Sequence, residues 1–359
     1  MLGTIVPAKS AAQILLCPRC GHPIRSLRLN QPEIEMITCG GCGSAFTSYY
    51  GVMDLRIQVQ RSCWSDARIV AEDVLVHRLV AKFHRATLEE LVDEYVDAHR
   101  LPERLLDADR DYMKLAQARE AWSVRYVEFC LKRYAARGLK GVSALDAGCG
   151  SGGMLPHLAD RFEHSVGVDV DLPSLIIAAK RCVEQGIADR VRLVAAMLEQ
   201  NIFAADTFDT IKCTDVIEHV SDPNLACLRM MTALKEGGAL FILTPNKWSP
   251  WSPEPHVRLW GVQFLPARVA DSYVRRRIGV PYRNVARLLS YDKFMQMLRR
   301  CGQADIVFVP VEDKHLNPES RRGVVLKKAF ERWPMRWLSQ LARPIQPSLE
   351  ALCIKRATD

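Results

Sequence analysis

A glycine-rich turn between an apolar strand and a helix constrains the fold of this chain more than any other feature. Gly148, Gly150 and Gly152 stand at alternate positions after the run Val-Ser-Ala-Leu-Asp-Ala. Glycine permits a positive φ and lets the backbone approach a ligand without an intervening Cβ atom. Asp169 ends the next apolar run, where a carboxylate typically accepts hydrogen bonds from ribose hydroxyls. The pattern therefore predicts a nucleotide-type site at the carboxyl ends of neighbouring strands.

Strands and helices alternate from this turn onward, which indicates an α/β fold. Apolar runs predict strands at Val142–Asp146, Ser165–Asp169, Val191–Ala195, Thr210–Thr214, Ala239–Leu243, Ile306–Val311 and Leu349–Lys355. Helical periodicity predicts helices at Leu172–Gln185, Pro223–Leu234 and Tyr291–Arg300. Such alternation predicts a mainly parallel sheet with helices on both faces.

Two details distinguish between the cofactors that such a turn can bind. The glycine spacing is G-x-G-x-G, whereas dinucleotide-binding turns typically have G-x-G-x-x-G. Asp146, at the end of the first strand, would repel a pyrophosphate but attract the cationic methionine end of S-adenosylmethionine. Both details favour S-adenosylmethionine over NAD. The residues expected to contact this cofactor are Asp146, Gly148, Cys149, Gly150, Gly152, Asp169, Val170, Met197, Leu198 and Thr214.

Four motifs in this order resemble those of the class I S-adenosylmethionine-dependent methyltransferases. Residues 144–151 and 166–169 are similar to the first two motifs of that family. Residues 208–223 resemble the fourth-strand motif of the type 11 subgroup, which contains quinone-biosynthesis O-methyltransferases, and Thr-Pro-Asn at 244–246 resembles its fifth-strand motif. The resemblance covers residues 140–311 and the last strand. It implies a Rossmann-like, seven-stranded domain that binds S-adenosylmethionine and transfers its methyl group.

The expected adenine pocket departs from the pattern of this family. Its members commonly carry an acid after the third strand, but Ala196 or Met197 stands at that position here. We expect backbone groups near Met197 and Leu198, together with apolar contacts, to hold the adenine instead. Glu199 is an alternative source of the missing carboxylate.

Four cysteines near the start of the chain have the spacing of a metal site. Cys17, Cys20, Cys39 and Cys42 form C-x2-C-x18-C-x2-C, which matches tetrahedral zinc. Four protein ligands leave no open position, so the zinc would be structural. A redox dithiol or free cysteines are the alternatives. The segment resembles a zinc ribbon, and its partner stays open between nucleic acid, another protein and its own neighbouring domain.

The organisation that follows has three parts. Residues 1–60 are predicted as the zinc ribbon, 61–139 as a helical linker or cap, and 140–359 as the methyltransferase domain. Within the last part, an insertion at 247–290 is predicted as a lid and one at 313–346 as a basic amphipathic insertion.

Three residues are candidates for acting on the methyl acceptor. Glu218 and His219 follow the fourth strand and are predicted to begin a helix, where either side chain could orient or deprotonate a hydroxyl. His256 lies in the predicted lid, which would place it over the acceptor. The alternatives are a capping or packing role for His219 and, for the lid aromatics, a small core of the lid itself.

Charge is distributed unevenly along the chain. The net charge is +8, and residues 258–343 hold 18 Lys or Arg against 7 Asp or Glu. This surplus suits an anionic acceptor, a lipid surface or RNA, and the alternative is a solvated basic face. Aromatic residues interleave with the cations at 321–343, which favours either peripheral membrane contact or packing against the sheet edge.

These patterns lead to one function hypothesis and two alternatives. The first is O-methylation of an unidentified small-molecule, glycan or lipid-linked hydroxyl. The alternatives are an RNA methyltransferase and a non-catalytic module with a decayed cofactor site. The other eight cysteines are scattered through apolar segments, which is typical of a reducing compartment, so the cytoplasm is expected. No window of about 18 uninterrupted apolar residues exists, so no transmembrane helix is expected. A secretory signal is not expected either, because Lys9 is the only cation of the apolar stretch at 1–16 and no small-residue cleavage site follows it.

Overall fold

The computed structural model describes most of the chain. The described residues are 14–25, 27, 29, 33–57, 66–98, 110–251, 253–279, 282, 287–302, 304–309 and 343–357. The predicted basic insertion at 313–346, and with it the candidate membrane segment at 321–343, lies almost wholly outside them. Within the described ranges, no helix has the length and apolarity needed to cross a membrane.

Twelve strands and eight labelled helices make up the described fold. The strands are β1 Leu15–Leu16, β2 Pro23–Ile24, β3 Ile34–Thr38, β4 Ala45–Tyr49, β5 Val52–Asp54, β6 Gly141–Ala147, β7 Phe162–Asp169, β8 Val191–Ala195, β9 Phe208–Thr214, β10 Leu234–Pro245, β11 Ala304–Phe308 and β12 Ser348–Lys355. The helices are α1 Asp66–Lys82, α2 Leu88–Ala98, α3 Ala116–Ala135, α4 Leu155–Ala159, α5 Leu172–Glu184, α6 Pro223–Ala233, α7 Ala267–Ile278 and α8 Tyr291–Arg300.

Seven strands form the predicted sheet, in the order β11-β12-β10-β9-β6-β7-β8. The β6–β9, β6–β7, β7–β8 and β9–β10 pairs are parallel, while β12 runs antiparallel to both β10 and β11. The chain reverses direction across the sheet beside β6, because β7 lies on one side of β6 and β9 on the other. In open α/β sheets a ligand binds at such a switch point, outside the carboxyl ends of the strands.

The N-terminal segment extends this sheet instead of forming a separate layer. Strand β5 pairs in parallel with β8, and β4 and β3 follow as an antiparallel meander, so the sheet has ten strands. Sequence patterns predicted a ribbon that precedes a seven-stranded sheet. The pairing covers the edge of β8, whose backbone amides and carbonyls would otherwise lack strand partners.

Helices cover both faces of the sheet. On one face α6 and α8 pack over β6–β10, together with the first cysteine turn. On the other face α1, α2 and α5 share an apolar cluster, and α3 and α4 share a second one. The periodic residues Leu91, Val92 and Val96 of α2 are buried there, as their spacing predicts. The second cluster brings α3 against the glycine turn.

The insertion at 247–290 has a small core of its own. Val257, Val262, Ala270 and Val274 are buried together, with Tyr273 packed against them. Three of its tryptophans are instead exposed at the surface, namely Trp248, Trp251 and Trp260. The small-core alternative therefore describes the aliphatic residues but not the tryptophans.

Candidate functional site

The three glycines of the turn meet two different requirements. Gly148 has a φ of +77°, and a Cβ atom there would lie 2.1 Å from Val216 Cγ2. Gly152 also has a φ of +77°, and its Cβ would lie 2.8 Å from Ala178 Cβ in α5. Gly150 has a φ of +48° and open space where a Cβ would be. The first and third glycines therefore allow close packing, while Gly150 presents bare backbone to a ligand.

The carboxylate of Asp169 lies beside this turn, at the end of β7. Its Oδ2 accepts a hydrogen bond from the Gly150 amide at 2.8 Å, and its Oδ1 accepts one from the Asp171 amide at 2.9 Å. Burial raises the pKa of Asp169 to about 6. Cys149 lies behind the turn, where its Sγ occupies the space that a Cβ on Gly167 would need. Asp169 is thus placed where a ribose would approach the turn.

A cavity of about 90 Å³ opens in front of the glycine turn. Five of the residues that were expected to contact the cofactor line it, namely Asp146, Gly148, Cys149, Gly150 and Thr214. Its far wall comes from the helical segment before the domain and includes Tyr112, Arg119 and Glu120. The Arg119 guanidinium stacks 3.6 Å above the Tyr112 ring. A cation on this wall suits the carboxylate of the methionine end, and the sequence patterns did not reveal it.

Asp146 has a partner that the sequence interpretation did not include. Lys212 Nζ lies 3.4 Å from Asp146 Oδ1 and 3.3 Å from Glu120 Oε2, and all three side chains face the same cavity. Burial alone would lower the pKa of Lys212, but the two carboxylates outweigh it and raise the pKa. The ammonium therefore stays charged and balances Asp146. The expected attraction of a bare Asp146 for the cationic sulfonium is reduced accordingly.

The turn after β8 has different contacts from those expected around an adenine. The Met197 amide donates to Gln200 Oε1 at 2.8 Å, and Leu198 is buried in the apolar core. Glu199 Oε1 accepts from the amides of Ser221 and Asp222 at 2.7 and 3.2 Å. Because this carboxylate holds the turn before α6, it does not replace the missing acid. The adenine would therefore meet a fixed backbone turn and apolar side chains.

The three acceptor-side candidates lie together, although they come from distant parts of the chain. One ligand atom from each of Glu218, His219 and His256 lies within 4.8 Å of the others, close enough to hold a cation. His256 Nε2 is 3.1 Å from His219 Nε2 and 3.8 Å from Glu218 Oε1. Glu218 and His219 lie in a turn rather than at the start of a helix, which begins only at Pro223.

Glu218 is almost completely buried in this cluster. Thr244 Oγ1 donates to its Oε2 at 2.9 Å, and its Oε1 is buried without a hydrogen bond from any residue that the structure describes. Burial, aided by the negative charge of Asp215, raises the pKa of Glu218 to about 7. A pKa near neutrality is typical of groups that take part in proton transfer.

Glu254 completes the cluster and was missed by the sequence analysis. Its Oε1 lies 2.7 Å from His256 Nδ1, and its Oε2 accepts from the Val257 amide at 2.8 Å. Burial would lower the pKa of His256, but the hydrogen bond to Glu254 outweighs it and raises the pKa. Because Nδ1 is held by a carboxylate, Nε2 is turned toward His219 and Glu218. The spacing Glu-x-His was the only available signal in the sequence.

A second cavity, of about 150 Å³, lies next to this cluster. It is lined by Asp215 and Glu254, by Asn246 after β10, and by Gln263 in the lid. Asp215 also lines the first cavity, so the two cavities meet at the end of β9. This arrangement allows a cofactor in one cavity to face an acceptor in the other.

The four cysteines form a second, separate cluster. Their sulfurs lie within 4.8 Å of one another, with Cys17 Sγ 3.7 Å from Cys42 Sγ and Cys20 Sγ 3.6 Å from Cys39 Sγ. A disulfide requires about 2.05 Å, so the sulfurs are not bonded in pairs. A zinc–sulfur distance of about 2.3 Å gives a tetrahedron with edges of about 3.8 Å. The observed separations fit that tetrahedron.

Comparison with known proteins agrees with this geometry. The family described as methyltransferase domain matches residues 145–242. The ubiquinone biosynthesis O-methyltransferase of Pasteurella multocida is 28% identical over 196 residues, which cover 51% of this chain and 73% of that protein. The protein of the same name from Aeromonas salmonicida is 33% identical over 110 residues, covering 31% of this chain and 46% of that one.

Among solved structures, parts of this chain match methyltransferases of differing names. Phosphoethanolamine N-methyltransferase 2 of Haemonchus contortus has a TM-score of 0.42 and 21% identity, and the match covers 65% of this chain and 52% of that one. Geranyl diphosphate C-methyltransferase of Streptomyces coelicolor has a TM-score of 0.42 and 16% identity, covering 69% and 84%.

The fold and the site together define the class of this protein. The strand order, the glycine turn, Asp169 and the matched domain are those of a class I S-adenosylmethionine-dependent methyltransferase. Residues 145–242 match the methyltransferase domain, and the chain is distantly related to the ubiquinone biosynthesis O-methyltransferases. It is therefore an enzyme with a methyl acceptor, and the alternative of a decayed, non-catalytic module is set aside.

Proposed function

We propose that this enzyme transfers the methyl group to the hydroxyl oxygen of a small-molecule, glycan or lipid-linked acceptor. The observation that carries the proposal is the cluster of His256, His219, Glu218 and Glu254, of which Glu254 lines the second cavity together with Asp215. A hydroxyl is a weak acid, so its attack on a methyl carbon is helped by a positioned base. The names of the curated relatives, which are O-methyltransferases, support the same chemistry.

His256 is the proposed general base. Glu254 holds its Nδ1, which leaves Nε2 to accept the proton of the acceptor hydroxyl. The acceptor oxygen forms a bond to the methyl carbon as the carbon–sulfur bond breaks, and that electron pair remains on the sulfur of S-adenosylhomocysteine. The proton passes to His256, and Glu254 stabilises the resulting imidazolium. Glu218 and His219 orient the acceptor beside it.

The part of the acceptor that enters the second cavity is proposed to be neutral. Among the described residues that line this cavity, Asp215 and Glu254 are acidic and none is Lys or Arg. An anionic group would meet these carboxylates without a compensating cation. The anionic character expected from the basic C-terminal third would then belong to a more distant part of the acceptor.

We also propose that the four-cysteine cluster holds one structural zinc ion. The sulfur separations of 3.6 and 3.7 Å fit tetrahedral coordination, and Gly21 and Gly43 adopt positive φ angles in the two turns that present the sulfurs. Metal analysis of purified protein should find about one zinc per chain. A Cys39→Ser variant should lose that zinc, whereas Cys130→Ser, which changes a cysteine buried in α3, should keep it. Protein purified without zinc yet folded would contradict the proposal.

The acceptor class is tested with S-adenosylmethionine that carries a labelled methyl group. Incubation with small-molecule, glycan, lipid and RNA fractions should place the label in one of the first three, as a methyl ether. Label found in RNA alone would replace this proposal with the RNA methyltransferase alternative.

Variants identify the base in the same assay. His256→Gln should slow transfer by roughly 10²-fold or more, the usual contribution of a general base. His77→Gln, on the exposed face of α1, is the matched control and should transfer at the normal rate. Equal rates in both variants would remove His256 from the mechanism.

A further inference from the structure

The segment that follows the four-cysteine cluster reaches the cofactor side of the sheet. Its strand β5 pairs with β8, residue Val52 opposite Leu193 and Asp54 opposite Ala195. The Leu55 amide then donates to the Ala195 carbonyl at 2.9 Å, which continues the pairing by one more bond. The chain thus leaves β5 at the carboxyl end of β8, beside the loops that surround an adenosine in this fold.

Arg56 is buried and contacts the ribose loop, which comprises residues 169–171 after β7. Its Nε and Nη2 donate to the two carboxylate oxygens of Asp54, both at 2.8 Å, and its Nη1 donates to Glu72 Oε1 at 2.6 Å. The same Nη1 donates to the carbonyl of Val170 at 2.9 Å. Val170 immediately follows Asp169, whose carboxylate is expected to receive the ribose hydroxyls. A planar guanidinium held on three sides has one orientation, so it fixes the position of this carbonyl.

The carboxylates around Arg56 stabilise its contact with the Val170 carbonyl, and they prevent the guanidinium from competing with the ribose for the Asp169 carboxylate. Two carboxylates, from Asp54 and Glu72, balance the buried guanidinium. A lone cation at this place would attract the Asp169 carboxylate and compete with the ribose. Because its charge is already paired, Arg56 acts on the loop through the Val170 carbonyl.

Gln200 connects Leu55 to the adenine turn, which comprises residues 196–200 after β8. Its Nε2 donates to the Leu55 carbonyl at 3.0 Å, and its Oε1 accepts from the Met197 amide at 2.8 Å. The side chain is buried, so both bonds are shielded from water. The Ala196 amide, in the same turn, donates to the Asp169 carbonyl at 2.9 Å. The ribose loop and the adenine turn are therefore both tied to residues 55 and 56.

We propose that Arg56 and Gln200 are positioning residues that preform the adenosine side of the cofactor site. The turn after β8 offers an adenine no carboxylate from positions 196–199, because Ala196, Met197 and Leu198 carry none and Glu199 is engaged with Ser221 and Asp222. A pocket that lacks a charge-assisted hydrogen bond gains affinity when its loops need no ordering upon binding. The cysteine-cluster segment, which carries the four cysteines and strands β3 to β5, thus becomes part of the cofactor site, whatever the acceptor is.

Binding of S-adenosylhomocysteine tests the proposal without any acceptor. In isothermal titration of the full chain, Arg56→Gln and Gln200→Ala should each weaken binding by about tenfold or more. Arg56→Lys keeps the charge and one donor and should recover part of the loss. Arg190→Gln is the matched control, because that guanidinium also donates to a backbone carbonyl, Ala159, but away from the site. It should bind normally.

Hydrogen exchange separates positioning from a general loss of stability. Without cofactor, the variants should exchange faster at residues 168–172 and 196–200 than the native chain does, while the glycine turn at 148–153 keeps its protection. Unchanged affinity in both Arg56 variants would overturn the proposal. So would faster exchange throughout the domain, since Arg56 would then serve only the stability of the fold. If Arg56→Gln does not fold, the affinities of Arg56→Lys and Gln200→Ala test the proposal instead.

Discussion

The residues around Asp169 determine both the orientation of its carboxylate and the pH at which it ionises. Two backbone amides hold its carboxylate, which leaves the remaining lone pairs for ribose hydroxyls. Burial at the same time raises its pKa to about 6, so the free enzyme carries a protonated Asp169 in mildly acidic solution. Motif spacing predicted the residue as a ribose ligand, but only its surroundings define when it is ionised.

Replacing Asp169 with alanine should weaken cofactor binding severely. Hydrogen bonds to a charged group contribute about 1.5–3 kcal/mol each, so the loss should be roughly 10²-fold in the dissociation constant of S-adenosylhomocysteine. In the native protein, affinity should also fall as pH drops below about 6, because a protonated carboxyl accepts fewer hydrogen bonds. Calorimetric titration across pH measures both effects. Asp189→Ala, an exposed carboxylate, is the control, and equal affinity in the two variants would mean that the ribose lies elsewhere.

Replacing Glu254 with glutamine should lower the pKa of His256. The carboxylate raises that pKa because it stabilises the imidazolium, so its removal favours the neutral ring and moves the titration to lower pH. Titration of the imidazole by NMR measures the shift in the absence of an acceptor. Glu163→Gln, at an exposed position in β7, should leave the midpoint in place. A midpoint that moves upward would contradict the proposed pairing.

At the scale of elements, the glycine turn joins β6 to α4 under two separate constraints, a positive φ and close packing. Gly148 has both, since its Cβ would lie 2.1 Å from Val216. Gly186, past the end of α5, has a φ of +66° but open space around its Cβ position. Alanine substitutions at Gly148 and Gly186 therefore separate the energetic cost of the clash from the cost of the positive φ.

Gly148→Ala should destabilise the protein more than Gly186→Ala does. A left-handed φ at a non-glycine residue costs about 1–3 kcal/mol, and only Gly148 adds a clash to this. Urea unfolding gives both free energies of unfolding, and the difference between the variants isolates the clash with Val216. Equal values would show that the loop moves aside without cost.

At the scale of the whole molecule, the ten-stranded sheet makes the cysteine-cluster segment and the methyltransferase domain one structure. Strand β5 connects them through backbone pairing with β8, and Arg56 and Gln200 add side-chain bonds across the same boundary. A ribbon tethered by a linker would unfold independently, whereas a shared sheet is expected to unfold as a unit.

Native-state hydrogen exchange should therefore show similar opening free energies for β4, β5 and β8. Exchange at increasing denaturant concentration measures each strand, with the interior strand β7 as the reference. If β4 and β5 open at a much lower free energy than β8, the segment is an independent domain after all.

Local patterns in the sequence predicted the cofactor motif and many of the elements, but not all of their bounds. The predicted strand Val191–Ala195 and helix Tyr291–Arg300 coincide with the observed β8 and α8, because apolar periodicity depends on residues close together in the chain. The predicted strand at 239–243 begins at Leu234 in the structure, where pairing with β9 continues through an irregular register that periodicity does not reveal.

Tertiary structure alone decided which distant residues share a site. His256 and His219 meet across 37 positions of sequence, Arg56 reaches Val170 across 114, and Lys212 balances Asp146 across 66. No local pattern encodes such pairings, because they follow from how the sheet and the lid pack. The sequence by itself therefore determined the class of cofactor, through glycines and a carboxylate at short spacing. The packed fold determined which residues form the cluster around His256 and which side chains hold the loops after β7 and β8, because both depend on contacts between separate elements.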